Sequence, residues 1–495
     1  MLPDNSRFPA AVYADTVLSV NFRGAQRHFL DSLIEIHYAH TLMLARQLII
    51  PESTARSCVH GLQELNLAEL ASVPYDGHSE DLFFLVEEEL ERLCGKDAAG
   101  SMHTARSRND IAITQYRMCL RSEILEIVRN LSAAREVLLG IARRHIATLV
   151  PAYTHTQPAQ PITLGHYLLA VIELMGRDER RLQAAYATVN RCPLGACAIS
   201  TTGFPIDREV TAGLLGFEGL QLNSYGAIAA TDYLTETAGA IATAMLNLGR
   251  VTQDFLLWCT AEFGYLRLSD AWVQISSIMP QKRNPVPFEH VRVLASKALA
   301  QAQGVFTCLH NTPFGDINDA EDDLQPLIFA TTGDAIRAIG LFAGVMGACD
   351  VNTGRMAERA ASDFLTVTEL ADTLVRREGV NFRQAHHLVS ACVKALKGHY
   401  SPAAMVESVQ SLAPSHFGAR LRIPTEELLE ALDPRHFVDI RRIPGGPAPE
   451  ALRPALDQEE AHLTGTKAWI EAKSALLAAY PGRIKEALLR LSSSS

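Results

Sequence analysis

From Thr104 to Val150 the chain contains no proline, and Ile124, Ile127, Val128, Leu131, Ala134, Val137, Leu138 and Ile141 recur at spacings of three and four. That period places the apolar groups on one broad face of an α-helix, so the stretch predicts a single, very long amphipathic helix. A second proline-free stretch runs from Ile206 to Met279, and its portion from Ala227 to Phe263 reads as helix. Two more helical runs, Phe288 to His310 and Leu327 to Val345, follow proline-marked breaks. Four such helices imply a bundle. Runs of alternating β-branched residues are short and few, so any sheet is expected to be small and peripheral, and the fold class is all-α. Apolar residues spread so far around these helices are hard to cover within one chain, which predicts an oligomer whose bundle crosses subunit boundaries.

With 48% hydrophobic residues in 495, the chain can bury a large core. No stretch approaches the roughly 20 unbroken apolar residues of a spanning helix, and MLPDNSRFPAAVYAD lacks the basic-then-apolar order of a leader. A cytoplasmic location and no membrane partner are the expectation. The net charge of -10, without any Lys/Arg-rich tract, argues against nucleic acid as a partner. Nine scattered cysteines, of which Cys192 and Cys197 are the nearest pair, show no metal-ligand spacing and fit a reducing compartment. RRIPGGPAPEALRP, residues 441–454, reads as an exposed loop, and LSSSS as a frayed tail.

Three segments can carry chemistry. In SMHTARSRND, Ser107, Arg108 and Asn109 stand at the start of the long helix, where a guanidinium and helix-start amides can cradle a carboxylate. In VPAYTHTQPAQPI, Thr154 and His155 sit in a loop stiffened by Pro151, Pro158 and Pro161. There an imidazole can move protons near neutral pH. In SSIMPQKRNPVPFEH, Ser276, Ser277, Lys282 and Asn284 share a proline-punctuated loop, followed by Glu289, with amides and a cation available to a transient anion. Each alone also fits an ordinary helix cap, a structural loop histidine or an interhelical connection.

Together and in this order, the three segments resemble the fumarase/aspartase superfamily. Within it HTARSRND, YTHTQPAQPI, PLGACA, FPIDRE, EFGY and LADTLVRREGVNFRQAH resemble the argininosuccinate lyase family, from about Ala25 to Ala395. The resemblance implies a three-domain chain, 1–108, 109–361 and 362–495, with a long central helical bundle. It further implies a homotetramer in which each active site gathers the three segments from three subunits. It implies a carbon–nitrogen lyase that removes the Cβ proton of an N-substituted aspartate and releases an amine and fumarate, with no metal or organic cofactor. Ser276 would be the base, made an alkoxide by loop amides and Lys282. Lys282 and Asn284 would hold the doubly charged carboxylate, while Ser107, Arg108, Asn109, Thr154 and Ser277 bind the remaining oxygens. His155 and Glu289 would form the pair that protonates the leaving nitrogen.

The sequence departs from this pattern at specific points. Ala105, Cys197 and Ile275 stand where the family typically carries glycine. Glu80-Asp81-Leu82-Phe83 lacks the family's histidine, and Ala229-Ala230-Thr231-Asp232-Tyr233 lacks its arginine. Asp316, Glu321 and Leu324 replace a tyrosine, a glutamine and a lysine that grip the arginine moiety. The expectation is therefore an intact fumarate half and a rebuilt amine half. The substrate is argininosuccinate or another N-substituted aspartate, such as an aminocarboxylate adduct. An adenylosuccinate lyase-like enzyme, suggested by Arg283 in KRNP, and a catalytically silent structural homologue are the alternatives.

Overall fold

The structure, a computed structural model, describes residues 8–493. Residues 1–7 of the opening stretch, and Ser494 and Ser495 of the tail, lie outside the described residues. The N-terminal part includes helices α1 (Leu30–Arg46) and α2 (Leu82–Cys94). The long helix, α3 (Arg108–Arg144), leads through a hairpin of β1 (Leu149–Thr154) and β2 (Gln157–Thr163) into α4 (Leu164–Val189) and then α5 (Asp232–Trp258). After β3 (Leu266–Leu268), strands β4 (Gln274–Ile275) and β5 (Arg283–Asn284) form a second small hairpin. Then come α6 (Val286–Leu309), α7 (Gln325–Gly347) and β6 (Cys349–Val351), which pairs with β3. Helices α8 (Val367–Glu378), α9 (Phe382–Leu396) and α10 (Pro402–Phe417) pack apart from the bundle, and α11 (Pro449–Ser493) closes the described chain. The fold is all-α, with three two-stranded sheets at its margins among the described residues.

Helices α3 to α7 pack on one another as the central bundle. Ile127, Val128 and Leu131 meet Ile172, Ile241, Val291, Ile339 and Phe342 in its core. The predicted helices are present, with shifted ends. The long helix starts at Arg108 rather than Thr104 because Ser107 and Asp110 form a capping box. The run expected from Ala227 to Phe263 is interrupted: Ala230 is extended, and a new helix starts at Asp232. The segment Asn318–Gly347 is long and apolar enough, by composition, to cross a membrane, but Asp334 and Arg337 interrupt it, so it is not the unbroken apolar run whose absence was expected. Half of its most apolar window is buried, and α7 packs along α3, α5 and α6.

The proline-rich stretch also differs from expectation. Only Arg442–Gly445 is an exposed loop, Gly446–Ala448 is buried, and Pro449 opens α11. Proline at a helix start costs nothing because its missing N–H has no intrahelical partner there. The tail residues Leu491–Ser493 complete the last helical turn rather than fray.

Helix α11 returns from the separate α8–α10 cluster to the bundle. Leu452, Leu456, Leu463 and Ile470 join the central core, and Ile484 and Leu491 pack with Leu42 and Met43 of α1. Buried Arg135 on α3 pairs with Glu179 on α4 and, at 2.7 Å, with Glu459 on α11. Thr466 Oγ1 donates to Glu179 at 3.0 Å. Gly176 is what admits the guanidinium: a Cβ there would lie 3.1 Å from Arg135 Cζ.

Candidate active site

The start of α3 is held by a buried carboxylate. Asp110 accepts from the backbone N–H of Ser107 at 3.0 Å, Gly195 at 2.8 Å and Cys197 at 2.9 Å. Behind it, buried Arg106 donates to His37 Nδ1 at 2.7 Å and Glu87 Oε1 at 2.9 Å. His40 Nε2 bonds the Thr104 carbonyl at 2.9 Å. The glycine positions of the family are explained here. Ala105 (φ 62°) and Cys197 (φ 53°) both adopt the left-handed conformation, which costs an L-residue roughly 1–2 kcal/mol, and Cys197 Sγ donates to the Ala105 carbonyl at 3.2 Å. Ile275 lies in β4, is 83% exposed and needs no such conformation.

Burial pushes the Asp110 carboxyl up to about 6, against the pull of its three amide donors. In the unfolded chain its value is about 3.9. Between those limits the folded chain binds more protons, so the contribution of this group to stability falls as pH rises from about 4 to about 6. Asp110→Asn is expected to remove that slope. It should also lower stability by about 1–3 kcal/mol for each amide left without an acceptor. Urea unfolding at pH 4.5 and pH 7 checks both, and an unchanged midpoint would sink the anchoring role.

Arg108 and Asn109 project from this anchored start into a recess of about 280 Å³. Arg108 Nη1 reaches Glu80 Oε1 at 3.1 Å and Asp81 Oδ2 at 2.8 Å, and its guanidinium lies 4.7 Å from the Phe84 ring centre. Asn109 Nδ2 donates to Asp316 Oδ2 at 2.8 Å and to the Ala198 carbonyl at 3.2 Å. Ser107 caps the helix, its Oγ accepting from Asn109 N at 3.3 Å. Glu321 lines the same recess with Asp322 and Asp323. Burial, then a hydrogen bond shared with Asp316 and the charges of Asp316 and Asp322, push Glu321 up to about 8.

Tyr116 was not singled out in the sequence, yet its Oη donates to Asp322 Oδ1 at 2.5 Å in the wall of the recess. Helical phase contained the signal. Tyr116 is eight residues after Arg108 and four after Ala112, all lining the recess. The altered positions are filled by packing: Phe83 and Leu324 are buried, and the Arg117 guanidinium lies 4.3 Å from the centre of the buried Tyr233 ring.

The other candidate residues do not line this recess. Thr154 and His155 are exposed at the β1–β2 turn, where His155 (φ 50°) and Thr156 (φ 63°) are both left-handed. Ser276 sits on the loop between β4 and β5, pinned by Asn284 Nδ2 donating to the Gln274 carbonyl at 2.9 Å and by Arg283 to the Leu268 carbonyl at 2.7 Å. Its Oγ accepts from the backbone N–H of Ile278 at 3.3 Å and Met279 at 3.0 Å. Two amides aimed at one hydroxyl oxygen favour its ionised form. Ser277 and Lys282 are exposed on the same loop, and Glu289 is exposed in the first turn of α6. Among the described residues, no group of three or more His, Cys, Asp or Glu is arranged to hold a metal ion.

Comparison with known proteins fits this arrangement. A lyase family model matches residues 26–300, and an argininosuccinate lyase C-terminal model matches residues 364–439. Argininosuccinate lyase 2 of Agrobacterium fabrum is 44% identical over 399 residues, 80% of this chain and 79% of that protein. The argininosuccinate lyase of Methanoculleus marisnigri is 37% identical over 476 residues, 94% of this chain and 96% of that protein. The crystal structure of EDDS lyase in complex with formate aligns with a TM-score of 0.85 at 32% identity, covering 94% and 92% of the two chains. Class II fumarase from Schistosoma mansoni shares the fold, with a TM-score of 0.67 at 17% identity over 82% and 90%. The protein is thus a lyase of the fumarase/aspartase superfamily. Within it, the chain belongs to the argininosuccinate lyase family and is a carbon–nitrogen lyase.

Proposed function

We propose that the enzyme eliminates an amine from an N-substituted aspartate to give fumarate, as the names of its argininosuccinate lyase relatives suggest. A variant of EDDS lyase solved with bound fumarate, 31% identical over 97% of both chains, supports the same product. The observation that carries the reading is the pair of amides on Ser276 Oγ. As an alkoxide, Ser276 takes the Cβ proton. The electrons delocalise into the adjacent carboxylate, which Lys282 and Asn284 hold, and the carbon–nitrogen bond then breaks. Arg108, Asn109, Ser107, Thr154 and Ser277 bind substrate oxygens, and His155 with Glu289 delivers a proton to the departing nitrogen. Fumarate appearing by ultraviolet absorbance from argininosuccinate or another N-substituted aspartate tests the reading. Its absence from every such compound would refute it.

The working enzyme is a homotetramer with sites shared between subunits. The support is that His155, Ser276, Lys282 and Glu289 stand outside the Arg108 recess. In addition, the bundle helices expose Leu246, Leu257, Val293 and Phe306, and Leu246 lines a groove of about 440 Å³ between α5 and α6. Mixing unfolded Ser276→Ala and Arg108→Ala chains, each inactive alone, and refolding them together is expected to restore activity at sites that draw neither change. No recovery from a refolded mixed tetramer would show that each site belongs to one chain. The unpaired state of all nine cysteines supports a cytoplasmic location.

A further inference from the structure

Two arginines flank Ser107, and only the outer one lines the recess. Ser107 is extended (φ -137°, ψ 159°), and in extended backbone the side chains before and after a residue leave on the same side. Both arginines accordingly reach α2. Arg108 meets Glu80 and Asp81 at the start of that helix, whereas Arg106 meets Glu87, about two turns further along.

Arg106 is the more firmly held of the two. Its side chain is fully buried, while that of Arg108 is 42% exposed. Its guanidinium spans two elements, Nη1 donating to His37 Nδ1 on α1 at 2.7 Å and Nη2 to Glu87 Oε1 on α2 at 2.9 Å. A guanidinium only donates, so His37 Nδ1 accepts and the imidazole proton sits on Nε2. That nitrogen is buried without a hydrogen-bond partner among the described residues. A buried donor left unmet is costly to stability, so it is the bond to Arg106 that fixes this tautomer. Burial and the Arg106 charge also hold His37 well below the usual histidine range, which keeps the ring neutral. One step further back, His40 ties the Thr104 carbonyl to α1. Between these ties Ala105 lies in the left-handed region (φ 62°), a strained conformation that persists only where its surroundings enforce it.

We propose that Arg106 and His37 are positioning residues for the fumarate half of the site: they touch no substrate, but by enforcing the backbone at Ala105 they set where Arg108 and Asn109 stand. This rests on the reading above that Arg108 and Asn109 bind a substrate carboxylate. All the contacts involved lie within one chain, so they act before any subunit is added. Without them Ala105 can relax, and the two binding residues that follow it shift together.

Calorimetric binding of fumarate, with KM and kcat, tests this at a temperature where circular dichroism shows each variant folded. His37→Leu fills the space of the ring without an acceptor, and His37→Asn returns an acceptor close to the position of Nδ1. Arg106→Lys keeps the charge but lacks the planar fork that serves both partners, and it keeps the test open if His37→Leu does not fold. His37→Leu and Arg106→Lys should each weaken fumarate binding and raise KM by about 10- to 100-fold, the effect of moving a binding group by about 1 Å, with a much smaller change in kcat. His37→Asn should stay close to wild type. Arg135→Met, which strands buried charge away from the recess, is the control and should bind fumarate normally. Equal weakening in Arg135→Met would mean general loosening of the fold and would overturn the positioning role. So would His37→Asn binding no better than His37→Leu, or wild-type affinity in both His37→Leu and Arg106→Lys. Arg108→Ala separates the two readings. Weakened binding there but not in the His37 and Arg106 variants would overturn positioning alone, whereas unchanged binding there would remove Arg108 from the substrate and the proposal with it. A wild-type chain that neither binds nor releases fumarate would sink the lyase reading itself.

Discussion

Replacing Ser276 with alanine is expected to lower kcat by about 10²- to 10⁴-fold, the range over which a positioned general base acts, with little change in circular dichroism. The asymmetry follows from position. Ser276 Oγ accepts two exposed loop amides that water can satisfy in its absence, and the loop is held by the flanking β4–β5 pairs rather than by the serine. The stability cost is therefore small and the chemical cost large. Steady-state fumarate release, followed with a substrate that the wild-type chain turns over, is the measurement. A variant with full activity would remove Ser276 from the base role, whereas a raised KM with unchanged kcat would make it a binding group.

The opposite asymmetry is expected at Arg135. Arg135→Met leaves Glu179 and Glu459 buried without their cation, and breaking such a pair typically costs about 3–5 kcal/mol. The thermal midpoint should fall by several degrees. The triple variant in which Glu179 and Glu459 also become methionine should recover much of the loss, because two carboxylates no longer need a counter-charge. If the single and triple variants melted together, lost packing rather than stranded charge would be the cause. Arg135 lies outside the Arg108 recess, so kcat at low temperature should be close to wild type.

The long helices were legible because their period is a local property of the chain. Their ends were less so. Ser107 and Asp110 carried a readable cap, but the break at Ala230 and Thr231 contains no proline or glycine and comes from tertiary placement of the two helices on either side. Ala105 and Cys197 show the same limit from the other direction. Their left-handed backbone was visible only as an unexplained absence of glycine, and it makes sense once Asp110 is seen drawing residues 195–197 onto the helix start.

The candidate site was legible as three segments but not as an assembled centre. Asp316 and Glu321 were marked by departure from a pattern, and the structure brings them to Arg108 and Asn109. Tyr116 and Asp322 meet across 206 positions, and nothing in the sequence near either one indicates the other. The pairing of Arg135 with Glu459, 324 positions apart, was equally hidden, because a charged residue on a helix ordinarily reads as solvated.

The return of α11 to the first part of the chain has a kinetic consequence. Tyr480 Oη donates to Glu35 at 2.8 Å across 445 positions, and Ile484 and Leu491 fill the same cluster as residues of α1. Contacts of such sequence separation form slowly, since the loop entropy must be overcome before they contribute. The apolar face of α1 that Ile484 and Leu491 cover should therefore stay open in a partly folded chain after the α3–α7 bundle has condensed. Exposed apolar surface at that stage would be a point of aggregation, and a temporary binding site for chaperones, that the finished protein no longer displays.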